Sequence, residues 1–199
     1  KNDFITFASF NKPCKMNDEV LDLWSQVLLA VPRSQLILKF RNFFASPLIK
    51  QKIETRFEIN GIDLKRINML SSADNMHDHL ANYHQADIAL DTFPFAGATT
   101  TFQALWMGVP VISLLGDRFI SRAGGVISLQ AGLKETIATN KDEFIEKAIV
   151  LAGDKTNLRK TRKTLRQKLI DSPLCNGPMY ARNVENTFQS MWVAHLKKE

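Results

Sequence analysis

Pro94, Gly97 and the run Thr99-Thr100-Thr101 fall within one short stretch, directly after the apolar residues Ile88 to Leu90. The apolar residues read as a strand. The proline and glycine read as a turn, and the threonines read as the opening of a helix that stops at Gly108. Small and hydroxylic residues at a strand-to-helix turn expose backbone N–H groups and hydroxyl donors together. The helix dipole adds partial positive charge at the same point. That combination is suited to holding phosphate. One threonine there would be an ordinary N-cap. Three in a row behind Phe95-Ala96-Gly97 are more than a cap needs.

The elements that must position this turn follow from hydrophobic periodicity. Strands are expected at 4–10, 35–40, 66–70, 87–91, 109–115 and 136–138. Helices are expected at 18–30, 47–58, 76–85, 100–107, 121–130, 157–171 and 180–197, with one more after a capping-box spacing at Asn140 and Glu143. Asn17 is the expected cap of the first helix, whose apolar side carries Val20, Trp24, Val27, Leu28 and Val31. Residues 109–115 lack polar alternation, as a strand buried on both faces does. Strands alternating with helices imply an α/β fold: a doubly wound, mostly parallel Rossmann-like sheet of about six strands with C-terminal helices. No internal repeat or low-complexity linker interrupts it, so residues 1–199 read as one domain that includes the terminal helices at 156–199.

In the common 3-2-1-4-5-6 strand order, the crevice opens between strands one and four at their carboxyl ends. The loop after strand one carries Asn11 to Lys15, and the loop after strand four carries Thr92 to Thr101. A lysine and a threonine-rich helix start then face each other, as a nucleotide-phosphate site requires. Neither the glycine fingerprint of dinucleotide dehydrogenases nor a Walker A motif is present, which disfavours hydride transfer and P-loop phosphotransfer.

Composition sets the remaining bounds. The chain is 45% apolar and 23% charged, enough for one sizeable core. No apolar run approaches the ~20 residues of a membrane span, and no signal-peptide pattern precedes Phe4. The start at Lys1 reads as a cut inside a longer protein. Cys14 and Cys175 lie far apart and outside metal-ligand spacing, which suits free thiols in a reducing, cytoplasmic setting. The net charge is +6, with basic residues thickening from Lys155 to Lys168. Their helical spacing, with Leu158, Leu165 and Leu169 on one side and no interleaved aromatics, reads as a solvated face or one turned to a missing lobe. A nucleic-acid or membrane surface is not expected. His77, His79 and His84 share one expected helix, but the step of five from His79 to His84 is poor for one face, so no metal is expected.

Several separated blocks carry a resemblance. They are Phe10-Asn11 with Lys15, Leu23-Trp24, Ala30-Val31-Pro32, Leu90-Asp91-Thr92-Phe93-Pro94-Phe95 with Gly97 and the threonine triplet, Ala104 through Pro110, Ser121-Arg122, Ser172 through Gly177, and Met191-Trp192. Together, in this order, they resemble the O-linked N-acetylglucosamine transferase and SPINDLY family, over the C-terminal lobe of its two-lobed (GT-B) catalytic region. The resemblance implies an inverting transfer of a sugar from a nucleotide diphosphate to Ser or Thr of proteins, with the nucleotide held in this lobe. It implies Lys15 as the catalytic cation stabilising the diphosphate leaving group, and Thr99 and Thr100 as phosphate ligands beside Asn11, Gly97 and Ala98. It implies His79 near the nucleoside. It also implies a protein acceptor reached through an N-terminal lobe, with tetratricopeptide repeats upstream.

The chain departs from the human-type pattern at four places. Ala98 stands where a histidine precedes the threonines, and Gln103 where an acidic residue meets the ribose. Met76 and Asn82 stand where a lysine and an arginine approach the base. These three, Met76, Asn82 and Gln103, are therefore the candidate nucleoside-selecting positions. UDP-N-acetylglucosamine is the first donor reading. GDP-fucose is the second, because His77-Asp78-His79 and Asn176-Gly177-Pro178 resemble the plant SPINDLY branch. A binding or interaction module without activity of its own is the alternative from another class. No cofactor beyond the donor substrate is implied.

Overall fold

The structure, a computed structural model, describes residues 3–197. One sheet holds β1 (Thr6–Ser9), β2 (Gln35–Lys39), β3 (Ile67–Leu70), β4 (Ile88–Leu90), β5 (Val111–Leu114) and β6 (Ile137–Ala138), in the order β3-β2-β1-β4-β5-β6. Every pairing is parallel. The direction of winding reverses between β1 and β4, where Phe7 pairs with Ile88 and Ala8 with Ala89. The helices are α1 (Asp18–Ala30), α2 (Pro47–Ile59), α3 (Met76–Ala81), α4 (Thr99–Trp106), α5 (Ala123–Gln130), α6 (Lys141–Gly153), α7 (Lys155–Ile170) and α8 (Gly177–Leu196).

Strand residues alternate between two cores, as the two-residue strand period requires. Phe7, Leu36, Leu38, Ile88, Leu90 and Ile112 join Trp24 of α1, Phe57 of α2 and Phe144 of α6. Ala8, Ile37, Ala89 and Val111 join Leu105 of α4 and Leu165 and Leu169 of α7. The first core is built of large strand residues. The second places alanines on the central strands β1 and β4, and Phe10 and Tyr83 fill that side with ring centroids 4.3 Å apart.

Local signals set most element ends. Asn17 caps α1 by accepting from the Val20 N–H at 2.9 Å. At α6, Asn140 accepts from the Glu143 N–H, but the Glu143 carboxylate accepts from the Thr139 N–H, one residue before the cap. The expected helix at 76–85 is divided. Its α part ends at Ala81, and Asn82–Gln85 continue as a 3-10 turn. The Asn82 side chain donates to the Asp78 carbonyl at 2.7 Å, the local competition with helical bonding that asparagine favours. The expected helix at 121–130 likewise divides into a 3-10 turn, Phe119–Ser121, and α5.

The basic helix α7 is more than a solvated face. Arg162 is half-buried and donates to the carbonyls of Ala86 and Asp87, and Arg166 donates to the Trp106 carbonyl at 2.6 Å. These bonds clamp α7 to the entry of β4 and the end of α4. Gly108 packs against the same helix, with φ +73° and a would-be Cβ 2.6 Å from the Arg162 carbonyl oxygen.

Gly108→Ala must therefore meet both left-handed strain and a backbone clash. It is expected to lower stability by about 2–3 kcal/mol. Gly132→Ala, at φ +74° with nothing near its Cβ, should cost only about 1 kcal/mol. Urea midpoints of the two variants measure the difference, and equal losses would remove the packing contribution.

Candidate functional site

The site is organised by a carboxylate. Asp91 follows β4 and is 2% exposed. Its Oδ1 accepts from the N–H groups of Thr92 at 2.8 Å and Gly97 at 2.7 Å, and its Oδ2 accepts from the Ser113 hydroxyl at 2.9 Å. Asn11 Nδ2 lies 3.4 Å from Oδ1. A Cβ on Gly124 would fall 2.1 Å from Oδ2, so the start of α5 approaches this carboxylate because residue 124 has no side chain. The turn at 92–98 is thus wrapped around one buried anion. Further bonds hold its outer side: the Thr92 hydroxyl donates to the Phe95 carbonyl, and the Ala96 N–H donates to the Ile120 carbonyl.

The loops after β1 and β4 meet as the strand order requires. Lys15 Nζ donates to the Ala96 carbonyl at 2.9 Å and lies 3.9 Å from the centroid of the Phe95 ring. Burial pushes the Lys15 ammonium down from its ordinary range, while the Asp91 charge acts to keep it protonated. The Thr100 hydroxyl donates to Asn11 Oδ1 at 3.0 Å. Asn11 therefore links the threonine helix to Asp91. The first backbone bond within α4 runs from Phe102 N–H to the Ala98 carbonyl, so the N–H groups of Thr99 to Thr101 precede the helical ladder. The cap position, Ala98, has no side-chain bond to offer them.

A crevice of about 580 Å³ extends from Thr99 and Thr100 past Gln103, His79 and Met76 to the ends of β1 and β2. Five of the candidate residues thus line one space. Asn11, Lys15 and Gly97 stand at its threonine end, bound to one another through Asp91 and the turn. Ala98 lines an adjoining apolar hollow with Phe102, Trp106 and Ile127. Asn82 lies outside the crevice lining, one turn beyond His79, with its amide committed to Asp78. His77 and His84 are exposed, and among the described residues no three His, Cys, Asp or Glu side chains converge as metal ligands would.

Two residues escaped the sequence reading. Asp91 stood inside a recognised run, but its partners in that run and in β5 were not foreseen. The signal was a carboxylate closing a fully apolar strand ahead of a glycine turn. Lys39 ends the apolar run of β2 and is 2% exposed on the crevice floor. Its Nζ lies 2.8 Å from His79 Nδ1, and His79 Nε2 lies 3.1 Å from Gln103 Oε1.

Burial pushes the Asp91 carboxyl up to about 6, against the bonds from Gly97, Ser113 and Thr92 and the Lys15 charge. The folded chain then holds a proton that the unfolded chain, at its ordinary 3.8, has already released. Asp91's contribution to stability is full below that ordinary value and declines as pH rises through about 6. Wild type should lose stability relative to Asp91→Asn over this window and run parallel to it above about pH 7. Denaturation midpoints of both proteins across pH measure this, and a difference that is flat or of opposite slope would contradict the assignment.

The profile of glycosyl transferase family 41 matches residues 1–184. The chain is 39% identical over 198 residues to a probable UDP-N-acetylglucosamine–peptide N-acetylglucosaminyltransferase, SPINDLY, of Arabidopsis thaliana, covering 100% of this chain and 22% of that protein. It is 40% identical to the Solanum lycopersicum SPINDLY protein, covering 96% and 20%. A solved mutant of the Thermobaculum terrenum O-GlcNAc transferase superposes with a TM-score of 0.88 at 34% identity, covering 95% of this chain and 36% of that one. The C-terminal domain of a glycosyl transferase group 1 protein from Francisella tularensis shares the fold, with a TM-score of 0.61 at 14% identity over 83% of this chain and 84% of that one. The chain spans about a fifth of the length of these curated plant relatives. On the profile match and the identity across its whole length, the chain belongs to glycosyl transferase family 41.

Proposed function

We propose that this chain is the nucleotide-sugar-binding C-terminal lobe of an inverting protein O-glycosyltransferase that takes UDP-N-acetylglucosamine as donor and transfers its sugar to Ser or Thr of proteins. The observation that carries the proposal is the meeting of Lys15 with the turn and helix start at 96–100, across the β1–β4 reversal. The N–H groups that precede the helical ladder and the Thr99 hydroxyl suit the diphosphate oxygens, while the Thr100 hydroxyl is held by Asn11. The Lys15 ammonium suits the charge that develops on the β-phosphate as the glycosidic bond breaks. Its present partners, a carbonyl oxygen and a ring face, are neutral, so an arriving anion gives it a stronger partner. The acceptor and any general base belong to parts of the protein outside this chain, so the lobe alone is expected to bind without turning over.

A GDP-linked sugar such as GDP-fucose is the second reading. Gln103 supplies no fixed negative charge for ribose hydroxyls, and Asn82 is turned to Asp78 instead of the crevice.

UDP or GDP at about a hundredfold excess over its dissociation constant should stabilise the chain by about 2.7 kcal/mol. For a chain of this size that is roughly 5–10 °C in Tm. Lys15→Ala should weaken binding of the diphosphate far more than of the nucleoside. A folded sample indifferent to millimolar nucleotide would overturn the donor-lobe reading. In the full-length protein, transfer should persist in excess EDTA, because Lys15 and the helix start supply the compensating charge. Loss of activity that magnesium or manganese restores would count against the role of Lys15.

A further inference from the structure

Lys39 is a buried cation with no carboxylate paired to it among the described residues, and it faces the crevice. Its Nζ donates to His79 Nδ1 at 2.8 Å and stands 5.7 Å from the Phe10 ring centroid. An ammonium has no lone pair to accept with, so His79 Nδ1 must be the acceptor. The ring proton then belongs on Nε2, which donates to Gln103 Oε1 at 3.1 Å. That bond fixes the amide of Gln103 with its NH₂ outward, where its present neighbour is the soft sulfur of Met76 at 3.9 Å. Three residues from β2, α3 and α4 thus form a chain with one polarity, and all three line the crevice.

The place of this chain along the crevice decides what it meets. Lys15 contacts the turn before α4, and Lys39 lies on the crevice floor past Thr99 and Thr100 among His79, Met76 and Gln103. Of the two groups that flank a diphosphate at the helix start, the nucleoside is assigned to the Lys39 end, beside His79 and Gln103. Uracil and guanine carry a carbonyl acceptor where cytosine and adenine carry an amino donor.

We propose that Lys39 is the specificity-determining residue for a keto nucleobase, donating to its exocyclic carbonyl while holding His79 in the Nε2–H tautomer that orients Gln103. The inference rests on the reading of the crevice as a nucleotide site. Burial pushes both the Lys39 ammonium and the His79 imidazole down. Lys39 from β2 is the charged group in contact with His79, Asp78 is its neighbour on α3, and Arg41 and Asp74 line the same crevice. A neutral imidazole accepting from Lys39 agrees with that setting.

The test compares UDP, GDP, CDP, ADP and pyrophosphate by calorimetry on wild type and Lys39→Met, with thermal melts confirming that both are folded. Methionine keeps the length of the buried stem and removes the desolvated charge, so folding should survive. Wild type should prefer UDP or GDP over CDP and ADP by about tenfold or more. Lys39→Met should bring that ratio to within about twofold while pyrophosphate binding stays as in wild type. An unchanged ratio, or an equal loss for pyrophosphate, overturns the inference. Nitrogen-15 NMR of wild-type His79 provides a reading that needs no variant: Nε2 should carry the proton at neutral pH, and an Nδ1–H tautomer overturns the inference as well. If wild type binds no nucleoside diphosphate at all, the nucleotide reading fails together with it. If UDP or GDP binds and Lys39→Met discriminates as before, the role of Lys39 alone fails.

Discussion

A carboxylate sealed from water is costly unless nearly every lone pair is met, and Asp91 meets this demand from four directions. Thr92 and Gly97 supply backbone N–H groups, β5 supplies Ser113, and the loop after β1 supplies Asn11. Satisfying one anion therefore dictates the shape of the turn at 92–98, the absence of a side chain at 124, and the position of Asn11 under Thr100. It also places negative charge near Lys15. Removing the carboxylate would leave several donors without acceptors at the same point, so the surrounding geometry depends on it more than on any apolar contact nearby.

The sheet supplies the frame for this. Parallel strands need helical crossovers, and both faces are covered in consequence. The two faces are unequal. Large side chains fill the side under α1, α2 and α6, and alanines on β1 and β4 let the other helices and the Phe10–Tyr83 pair come close. Because Phe10 directly follows β1, the packing that fills this core also sets one wall of the crevice.

What the sequence disclosed was what depends on neighbours in the chain. Periodicity and the Asn17 cap placed α1 at its observed limits, and strand-helix alternation implied the parallel sheet; the reversal between β1 and β4 followed only once the common strand order was assumed, and that order is the observed one. Lys15, Asn11 and Thr100 were legible because the order of the loops brings them together. Asp91 and Lys39 were not, since their meaning lies in partners far along the chain: Ser113 for the one, His79 and Gln103 for the other. The break at Asn82 was missed for a smaller reason. An asparagine within a helical pattern announces competition for a carbonyl without saying whether it wins.

The last helix has a consequence for cooperativity. Along its 20 residues α8 has no buried side chain, and Tyr180, Phe188, Met191 and Trp192 are each exposed by more than half. Most helical stability in proteins comes from tertiary packing of an apolar face, which α8 lacks within this chain. Few contacts here tie its opening to loss of the sheet. Amide exchange along α8 would report local fraying, and helical ellipticity would begin to fall before the Asp91-centred body unfolds. With α8 opening first, a denaturation curve read as one transition would understate the cooperativity of the part that holds the crevice.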